Sequence, residues 1–302
     1  TRGSLRKAGY GTLEDMALRY RQVLHDHALA ASRFPGTAAA RRLQSLAVEG
    51  TRRLTGEGRQ GPAGLSVFFR RTFPLAFQRQ LGLLGVVVAL FLLAVVWGLT
   101  VAALRPAVGL AFLGPEAVRG LEEGQLWTNS LVTTVPPAIS SSRIATNNIS
   151  VALTAWTGGV LAGVVPLYVV LLNGLMLGAT LSVTMHYSLG GDLLEFISAH
   201  GLLELTLILV SAAAGLALGR AVVAAGDVPR AVALRQASRD SLAVLLGCVP
   251  WFVILALVEV FVSPSPEVPS GVKLILGVAL EGAFLGLALR PVRLESSLEP
   301  GP

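Results

Sequence analysis

The residues His200, Glu204 and Glu259 are ionisable and lie in apolar stretches, where charge is costly. His200 and Glu204 are four residues apart, so on a helix they lie one turn apart on one face. A charged group at the centre of a bilayer costs roughly 2.5–3.5 kcal/mol on insertion scales, so residues of this kind commonly have a function. An imidazole beside carboxylates can share a proton or line a polar cavity. The alternative is structural, with Glu204 accepting a hydrogen bond that fixes the helix register.

The face of the helix that bears this pair also carries small residues. At 100° per residue, positions 200, 204, 208, 211, 215 and 219 form one narrow stripe. The small residues Ser211, Gly215 and Gly219 on this stripe have the spacing that lets two helices approach closely in lipid. We therefore expect His200 and Glu204 to point into a helix bundle and not at lipid.

The composition explains why such a bundle is expected. The chain has 302 residues, of which 53% are hydrophobic and only 14% are charged. Soluble domains carry about 25% charged residues, so this is the composition of a membrane protein. A helix needs about 20 apolar residues to cross the hydrocarbon core. Five stretches approach this length: residues 81–104, 149–172, 197–219, 242–262 and 272–289. A shorter one, 174–187, is predicted to follow the second through a tight turn at Asn173, which gives six spans.

Charge predicts the orientation of these spans. Residues 1–80 hold 14 of the 24 Lys and Arg, and the loop 220–241 holds four arginines. The loops 188–196 and 263–270 hold none. Because basic segments stay in the cytoplasm, both termini are predicted to be cytoplasmic. The basic residues flank predicted spans, which favours contact with the lipid bilayer, so no nucleic-acid partner is expected.

The chain is predicted to have three parts and an all-α fold. Residues 1–64 form a cytoplasmic helical hairpin that turns at Phe34-Pro35-Gly36. Residues 65–80 mix phenylalanine with arginine, which is typical of an amphipathic interfacial helix, although the segment could also extend the first span. Residues 81–292 form the polytopic transmembrane bundle. Its outer segment 106–148 either caps the bundle or enters the outer leaflet.

Further polar residues are candidates for the same cluster. Glu259 lies near the outer end of its span, at the depth of His200 and Glu204. Asn147 and Asn148 precede the second span, where they could cap its helix or join the cluster. Asn173 stands before Gly174, a strong turn pair. The candidate polar cluster is therefore His200, Glu204, Glu259, Asn147, Asn148 and Asn173, and the candidate packing residues are Gly159, Gly163, Gly174, Gly178, Ser211, Gly215 and Gly219.

The order of three segments is similar to that of a known family. They are "TNNISVALTAWTGGVLAGVVPLYVVLLNGLMLGA", "AHGLLELTLILVSAAAGLALG" and "VPWFVILALVEVFVSP". Together they resemble the stage II sporulation protein M (SpoIIM) family over residues 145–266. The sequence departs from the pattern at Ala199, where many relatives have Pro, and at Val260, where a small residue is usual. The matching positions are Asn147, Asn148, Gly159, Asn173, Gly174, Gly178, His200, Gly201, Glu204, Gly215, Gly219, Glu259, Phe261 and Pro264.

The resemblance implies a multi-pass protein of the bacterial inner (cytoplasmic) membrane. The sporulation member of the family resembles a membrane anchor for a complex of peptidoglycan-degrading proteins. Many relatives lie beside genes for MoxR-type ATPases in bacteria that form no such spores. The expected partners are therefore envelope or cytoplasmic proteins, including a MoxR-type ATPase system. The small-residue faces would also suit a homo-oligomer.

Two functional classes remain open from the sequence. The first is a non-enzymatic scaffold or anchor for cell-envelope partners. The second is a transporter, channel or lipid-handling protein that uses an outward-facing polar cavity at His200, Glu204 and Glu259. An intramembrane hydrolase is disfavoured, because the sequence has no HExxH, GxSxG or Walker motif. No cofactor is expected, and no metal is assigned, because one histidine and two glutamates are few ligands.

Overall fold

The computed structural model describes residues 10–34, 36–55, 62–126, 137–224 and 229–292. Within those ranges every regular element is helical and no strand is present. Contacts divide the chain into two compact units, Thr1–Ser66 and Val67–Pro302. The predicted fold class, an all-α polytopic helix bundle, is confirmed.

The first unit contains two helices that pack against each other, α1 (Tyr10–Arg33) and α2 (Ala38–Thr55). Gly36 has a φ of 79°, a left-handed conformation that glycine adopts without strain and that reverses the chain here. The Thr37 hydroxyl then accepts the Ala40 N–H at 3.3 Å and caps the start of α2. The unit is thus a helical hairpin, and its cytoplasmic location stays a prediction.

The helices that follow carry the candidate site. A π-helical turn (Phe68–Thr72) connects the first two of them. In chain order they are α3 (Pro62–Val67), α4 (Phe73–Gln78), α5 (Leu81–Leu104), α6 (Pro106–Leu110), α7 (Pro115–Glu122), α8 (Pro137–Thr157), α9 (Val164–His186), α10 (Gly190–Ser198), α11 (Gly201–Val223), α12 (Arg230–Phe261) and α13 (Ser270–Ala288).

Five of these helices, rather than six, are long and apolar enough to cross a membrane within the described ranges: α5, α9, α11, α12 and α13. The predicted boundary between the spans 149–172 and 174–187 is wrong. The chain turns at residues 158–163, where Ala162 and Gly163 both have positive φ values. These residues separate α8 from α9. Helix α8 is 21 residues long and lies beside α11 and α12, but its first half is polar.

Asn173 does not end a helix, contrary to the prediction. It lies inside α9, and its side-chain amide donates a hydrogen bond to the Val169 carbonyl at 2.7 Å. Asn-Gly marks turns in water, where freed backbone groups can bind solvent. In a lipid-length helix those groups have no water to bind, so the helix continues through the pair. Asn147 and Asn148 likewise lie inside α8 and do not cap it.

Contacts along the helices give their relative directions. Gly159 meets Gly215 and Gly163 meets Gly219, so the chain from α8 into the turn runs parallel to α11. On the other side of the bundle, α9 runs parallel to α5. Helix α12 runs antiparallel to α11. Ser263, two residues after the end of α12, hydrogen-bonds His200, which immediately precedes α11. We refer to this end of the bundle as the His200 end.

The opposite end contains the start of α5 and the end of α13. The Gln78 side-chain amide donates to the carbonyl oxygens of Ala288 and Arg290, at 3.2 and 2.9 Å. Arg79 pairs with Asp240 near the start of α12 at 3.2 Å. We call this the Gln78 end. The chain therefore enters and leaves the bundle at the same end.

The segment 65–80 presents its phenylalanines to the bundle core. Phe73 is fully buried and Phe77 is 3% exposed. Both rings contact Phe284 of α13, with centroids 6.1 and 6.0 Å away. A Cβ on Gly247 of α12 would collide with the Phe73 ring, so a glycine makes room for it. The position of this segment at a membrane surface stays a prediction.

Short helices cover the His200 end after α5. Leu121 of α7 and Leu126 after it are buried in a cluster with Val183 of α9 and Leu193 of α10. Gly109 of α6 lies against the Val183 side chain. This part of the predicted outer segment therefore packs as a cap on the helices that end there.

Close glycine contacts hold the middle of the bundle together. A Cβ on Gly215 would collide with the carbonyl oxygen of Ala155, and one on Gly159 with that of Gly215. On α9, Gly174 and Gly178 lie in the same way against backbone carbonyls of α5. Ser211 is fully buried, and its hydroxyl donates to the Leu207 carbonyl of its own helix at 2.8 Å. The small residues therefore lie at helix–helix contacts.

Gly215→Ala tests this packing. The added methyl group has no room beside the Ala155 carbonyl, so the free energy of unfolding should fall by about 1–3 kcal/mol. The matched control is Gly282→Ala on α13, where an added Cβ meets nothing within 4 Å. The control should unfold at the wild-type temperature or above it, because alanine favours helix by up to about 1 kcal/mol. Thermal unfolding of the purified proteins in detergent measures both, and equal shifts for the two variants would contradict the proposed contact.

Candidate functional site

His200 lies at a break between two helices. Helix α10 ends at Ser198 and α11 begins at Gly201, so the predicted start of this span at residue 197 is too early. The His200 carbonyl accepts the Glu204 N–H at 3.0 Å, which keeps the two residues one helical turn apart. The ring of Phe196 on α10 packs edge-on against the imidazole, with centroids 5.4 Å apart. His200 is thereby held at the start of α11 and is only 3% exposed.

The structure brings His200, Glu204 and Glu259 together. One side-chain nitrogen or oxygen of each residue lies within 4.8 Å of those of the other two. The distance from His200 Nε2 to Glu204 Oε2 is 3.9 Å, longer than a hydrogen bond. Glu259 reaches the pair from the last turn of α12, because α12 runs antiparallel to α11. The cluster therefore joins two helices at the His200 end.

Ser263 fixes the other side of the imidazole, a contact that sequence analysis missed. Its Oγ lies 2.8 Å from His200 Nδ1 and 3.4 Å from the Val258 carbonyl oxygen. The Val258 carbonyl already accepts the N–H groups of Val262 and Ser263 at 2.9 Å, so the contact of the hydroxyl with Nδ1 is the closer of its two. In the tautomer with the proton on Nδ1, the hydroxyl accepts that proton and the lone pair of Nε2 faces the glutamates. A serine just after an apolar stretch indicates a helix end, but nothing in the sequence links it to His200.

The three asparagines have different surroundings. Asn148 is 7% exposed, and its side-chain amide lies beside Glu204. Asn147 is exposed and donates from Nδ2 to the Asn148 side-chain oxygen at 3.3 Å. This contact leaves the Asn148 amide N–H groups free to donate to the carboxylate. Asn173 binds the backbone of its own helix, so the structure joins Asn148, but not Asn173, to the cluster.

A polar pocket lies next to the cluster at the His200 end. Its volume is about 230 Å³, and one of its lining residues is Ser263, the same residue that binds His200. Another is Lys273 of α13, which is 4% exposed and binds Glu195 Oε1 of α10 at 2.9 Å. The remaining lining residues are Gly124, Gln125, Leu126, Leu189, Asp192, Glu195, Phe196, Pro264 and Pro266.

Two further polar contacts involve residues of the last predicted span, and sequence analysis missed both of them. They are the Lys273–Glu195 ion pair and a hydrogen bond of 3.0 Å from the Thr206 hydroxyl to Glu281 Oε1. Lys273 and Glu281 are single charges in an apolar stretch, and that pattern does not reveal their partners. The pair at Lys273 lowers the pKa of Glu195, chiefly through the hydrogen bond from the ammonium group.

Ser263, His200 and Glu204 have the residue types of a nucleophile, a base and an orienting acid. Catalysis of that kind requires a serine that donates its proton to the histidine and a carboxylate within hydrogen-bond reach. Here Ser263 contacts Nδ1 of the imidazole, and Glu204 is 3.9 Å from Nε2, which is too far for a hydrogen bond that would orient the ring. The arrangement is better suited to holding a proton or a cation between the carboxylates and the imidazole.

The fold and its apolar helices define a multi-pass membrane protein with an ionisable cluster at one end of the bundle. The family model for stage II sporulation protein M (SpoIIM) matches residues 84–264, which is more than half of the chain. The chain belongs to this family, and the predicted resemblance is confirmed. No match was found among the curated proteins or the solved structures.

The Lys273–Glu195 pair should make stability depend on pH. A carboxyl with a lowered pKa in the folded protein stabilises it above the unfolded pKa, and this effect disappears as the pH falls through the folded value. We expect Glu195→Gln to lower the melting temperature at pH 7. Its difference from wild type should shrink as the pH falls below the unfolded value of about 4.3 and should vanish only below the lowered pKa of folded Glu195. The loss should be modest, because Glu195 is 41% exposed.

The control for this experiment is Glu267→Gln, which removes an exposed carboxylate that forms no ion pair within the described ranges. It should leave the melting temperature unchanged at each pH. A Glu195→Gln effect that is absent at pH 7, or that stays undiminished as the pH falls well below 4, would contradict the assignment.

Proposed function

We propose that this protein is a non-enzymatic anchor in the bacterial cytoplasmic membrane that binds an envelope protein at its His200 end. The observation that carries the proposal is the polar pocket at that end, which is bordered by α10, α13 and the segments at 124–126 and 263–266. Chain segments from distant parts of the sequence meet there on a tightly packed bundle. A rigid, polar recess suits the docking of a partner side chain.

The charge distribution supports the outward orientation of that recess. The Gln78 end carries Arg79 and Arg290, and Arg220 near the end of α11 and Arg230 at the start of α12 belong to the same end. The loops of the His200 end at 188–196 and 263–270 contain no Lys or Arg. Positive residues are retained in the cytoplasm, so both termini are cytoplasmic in this proposal and the pocket faces outward. Helix α8 then serves as a sixth crossing.

Single cysteines test this orientation. In a Cys248→Ala background, cysteines at Gly191 and Glu267 should react with an impermeant thiol reagent added to intact cells. Both positions are exposed, whereas Cys248 is fully buried. A cysteine at exposed Arg230 should react only after the cells are opened. Labelling of Arg230→Cys alone in intact cells would invert the orientation and place the pocket in the cytoplasm.

Site-specific crosslinking tests the anchor role. A photo-crosslinking residue at Gln125, which lines the pocket, should give a discrete protein adduct in intact cells. The same residue at Ile275, a 70% exposed position on α13, should give lipid adducts only. Asp192→Arg, which reverses a charge in the pocket, should abolish the protein adduct. The matched control is Glu116→Arg on the exposed side of α7, which should preserve it.

The second candidate function is transport or lipid handling through the polar cluster. Ser263 favours it, because this residue both lines the pocket and binds the buried His200. Adducts that are unaffected by Asp192→Arg would count against the anchor. Transport predicts instead that purified protein moves a solute or protons across sealed vesicles and that Glu204→Gln stops this movement.

We also propose that a MoxR-type ATPase contacts the protein from the cytoplasm. The N-terminal hairpin is the candidate surface, because the resemblance links the family to these ATPases and the hairpin is basic and helical. A homo-oligomer is a further arrangement that small-residue helix faces permit.

A further inference from the structure

We propose that His200, Glu204 and Glu259 form a binding site for one divalent transition-metal ion, with Zn²⁺ as the best-suited ion. The inference goes beyond the anchor function and does not depend on it. Its basis is the convergence of one imidazole nitrogen and two carboxylate oxygens within 4.8 Å, from two helices of the bundle. Three protein ligands of this kind leave a fourth position for water or another exchangeable ligand.

The nitrogen of His200 that would not bind the metal has a partner. Ser263 Oγ lies 2.8 Å from Nδ1, and in the tautomer with the proton on Nδ1 the lone pair of Nε2 faces the glutamates. Histidines that bind metals commonly donate their other ring N–H to an oxygen, which sets the tautomer and the ring orientation. The imidazole is 3% exposed and packs against Phe196, so its direction is restricted.

The carboxylates need a positive charge that the described residues do not supply. In the described part of the chain, neither Glu204 nor Glu259 forms an ion pair with a lysine or arginine. Glu259 Oε2 is buried and has no hydrogen-bond partner among those residues. Two carboxylates this close repel each other, and a bound cation removes that cost. A carboxyl that keeps its proton would relieve the same repulsion and is the rival explanation.

The distances suit an ion after small movements of the side chains. Zn²⁺ binds histidine nitrogen and carboxylate oxygen at about 2.0–2.2 Å, so neighbouring ligand atoms in a tetrahedral site lie roughly 3.4 Å apart. His200 Nε2 and Glu204 Oε2 are 3.9 Å apart, and no pair of the candidate atoms exceeds 4.8 Å. Glutamate side chains can close a gap of this size by rotation. Asn148, which lies beside Glu204, would orient that ligand.

The donor set also indicates the class of ion. Calcium and magnesium prefer oxygen ligands alone, whereas an imidazole with carboxylates suits Zn²⁺ and its neighbours in the first transition row. Within the described ranges, Cys248 is the free cysteine, and it is buried in a separate cluster with Phe73 and Phe252, so no thiolate competes for the ion. The neighbouring pocket, which shares Ser263 with the site, offers a route of entry.

Metal titration of the full chain tests the proposal. The protein is purified in detergent through a tag without histidines, stripped with a chelator and titrated with Co²⁺. We expect one Co²⁺ per chain with the visible ligand-field absorption of a four- or five-coordinate site, and displacement by Zn²⁺. His200→Gln, Glu204→Gln and Glu259→Gln should each lose this absorption. Ser263→Ala should retain it but bind about 10–100-fold more weakly, because the serine orients a ligand without touching the ion.

Glu281→Gln is the matched control. It changes a carboxyl on a membrane-spanning helix, also with one buried unpartnered oxygen, that lies outside the cluster. It should bind Co²⁺ as the wild type does. If a ligand variant fails to fold, the wild type alone decides, because its melting temperature should rise with added Zn²⁺. A stripped wild type that binds no stoichiometric Co²⁺, or a His200→Gln spectrum equal to wild type, overturns the site in favour of a shared proton.

Discussion

The close approach of α11 to α8 is the contact on which the rest of the bundle depends. Gly215 and Gly159 let the two backbones touch, and the Ala155 carbonyl occupies the space that a side chain would need. In lipid, helix association gains little from hydrophobic burial, so close packing of small residues supplies much of the stabilisation. This contact also sets the parallel register that brings Asn148 of α8 to the level of Glu204 of α11.

Polar side-chain contacts add to the close packing at the His200 end. His200 binds Ser263, Lys273 binds Glu195, and Thr206 binds Glu281, so the start of α11 and the helices around it are joined by side chains. Interhelical hydrogen bonds in membranes average only about 0.6 kcal/mol each. Each of these bonds therefore contributes little by itself, and together they connect α10, α11, α13 and the segment after α12.

The sequence predicts the fold better than it predicts the ends of the helices. Apolar length identifies α5, α11 and α13 within a few residues, because no other structure satisfies that much backbone in lipid. The turn between α8 and α9 was misplaced, because Asn173-Gly174 is the stronger turn pair in water. The actual turn at 158–163 packs against Gly219 of α11. A contact between such distant parts of the chain cannot be read from the local sequence.

The residues of the site also differ in how well the sequence predicts their positions. His200 and Glu204 share a helix face, and a topology with antiparallel neighbours brings Glu259 to their depth, so their proximity follows from spacing and span order. Ser263 and the Lys273–Glu195 pair depend on how loops and short helices pack, which no periodicity encodes. The predictable residues are those that lipid makes costly, since burial of charge restricts where they can lie. Tertiary packing determines which side chains contact them. At this end of the bundle, the helices therefore position the charged residues, and the loops determine which groups can contact them.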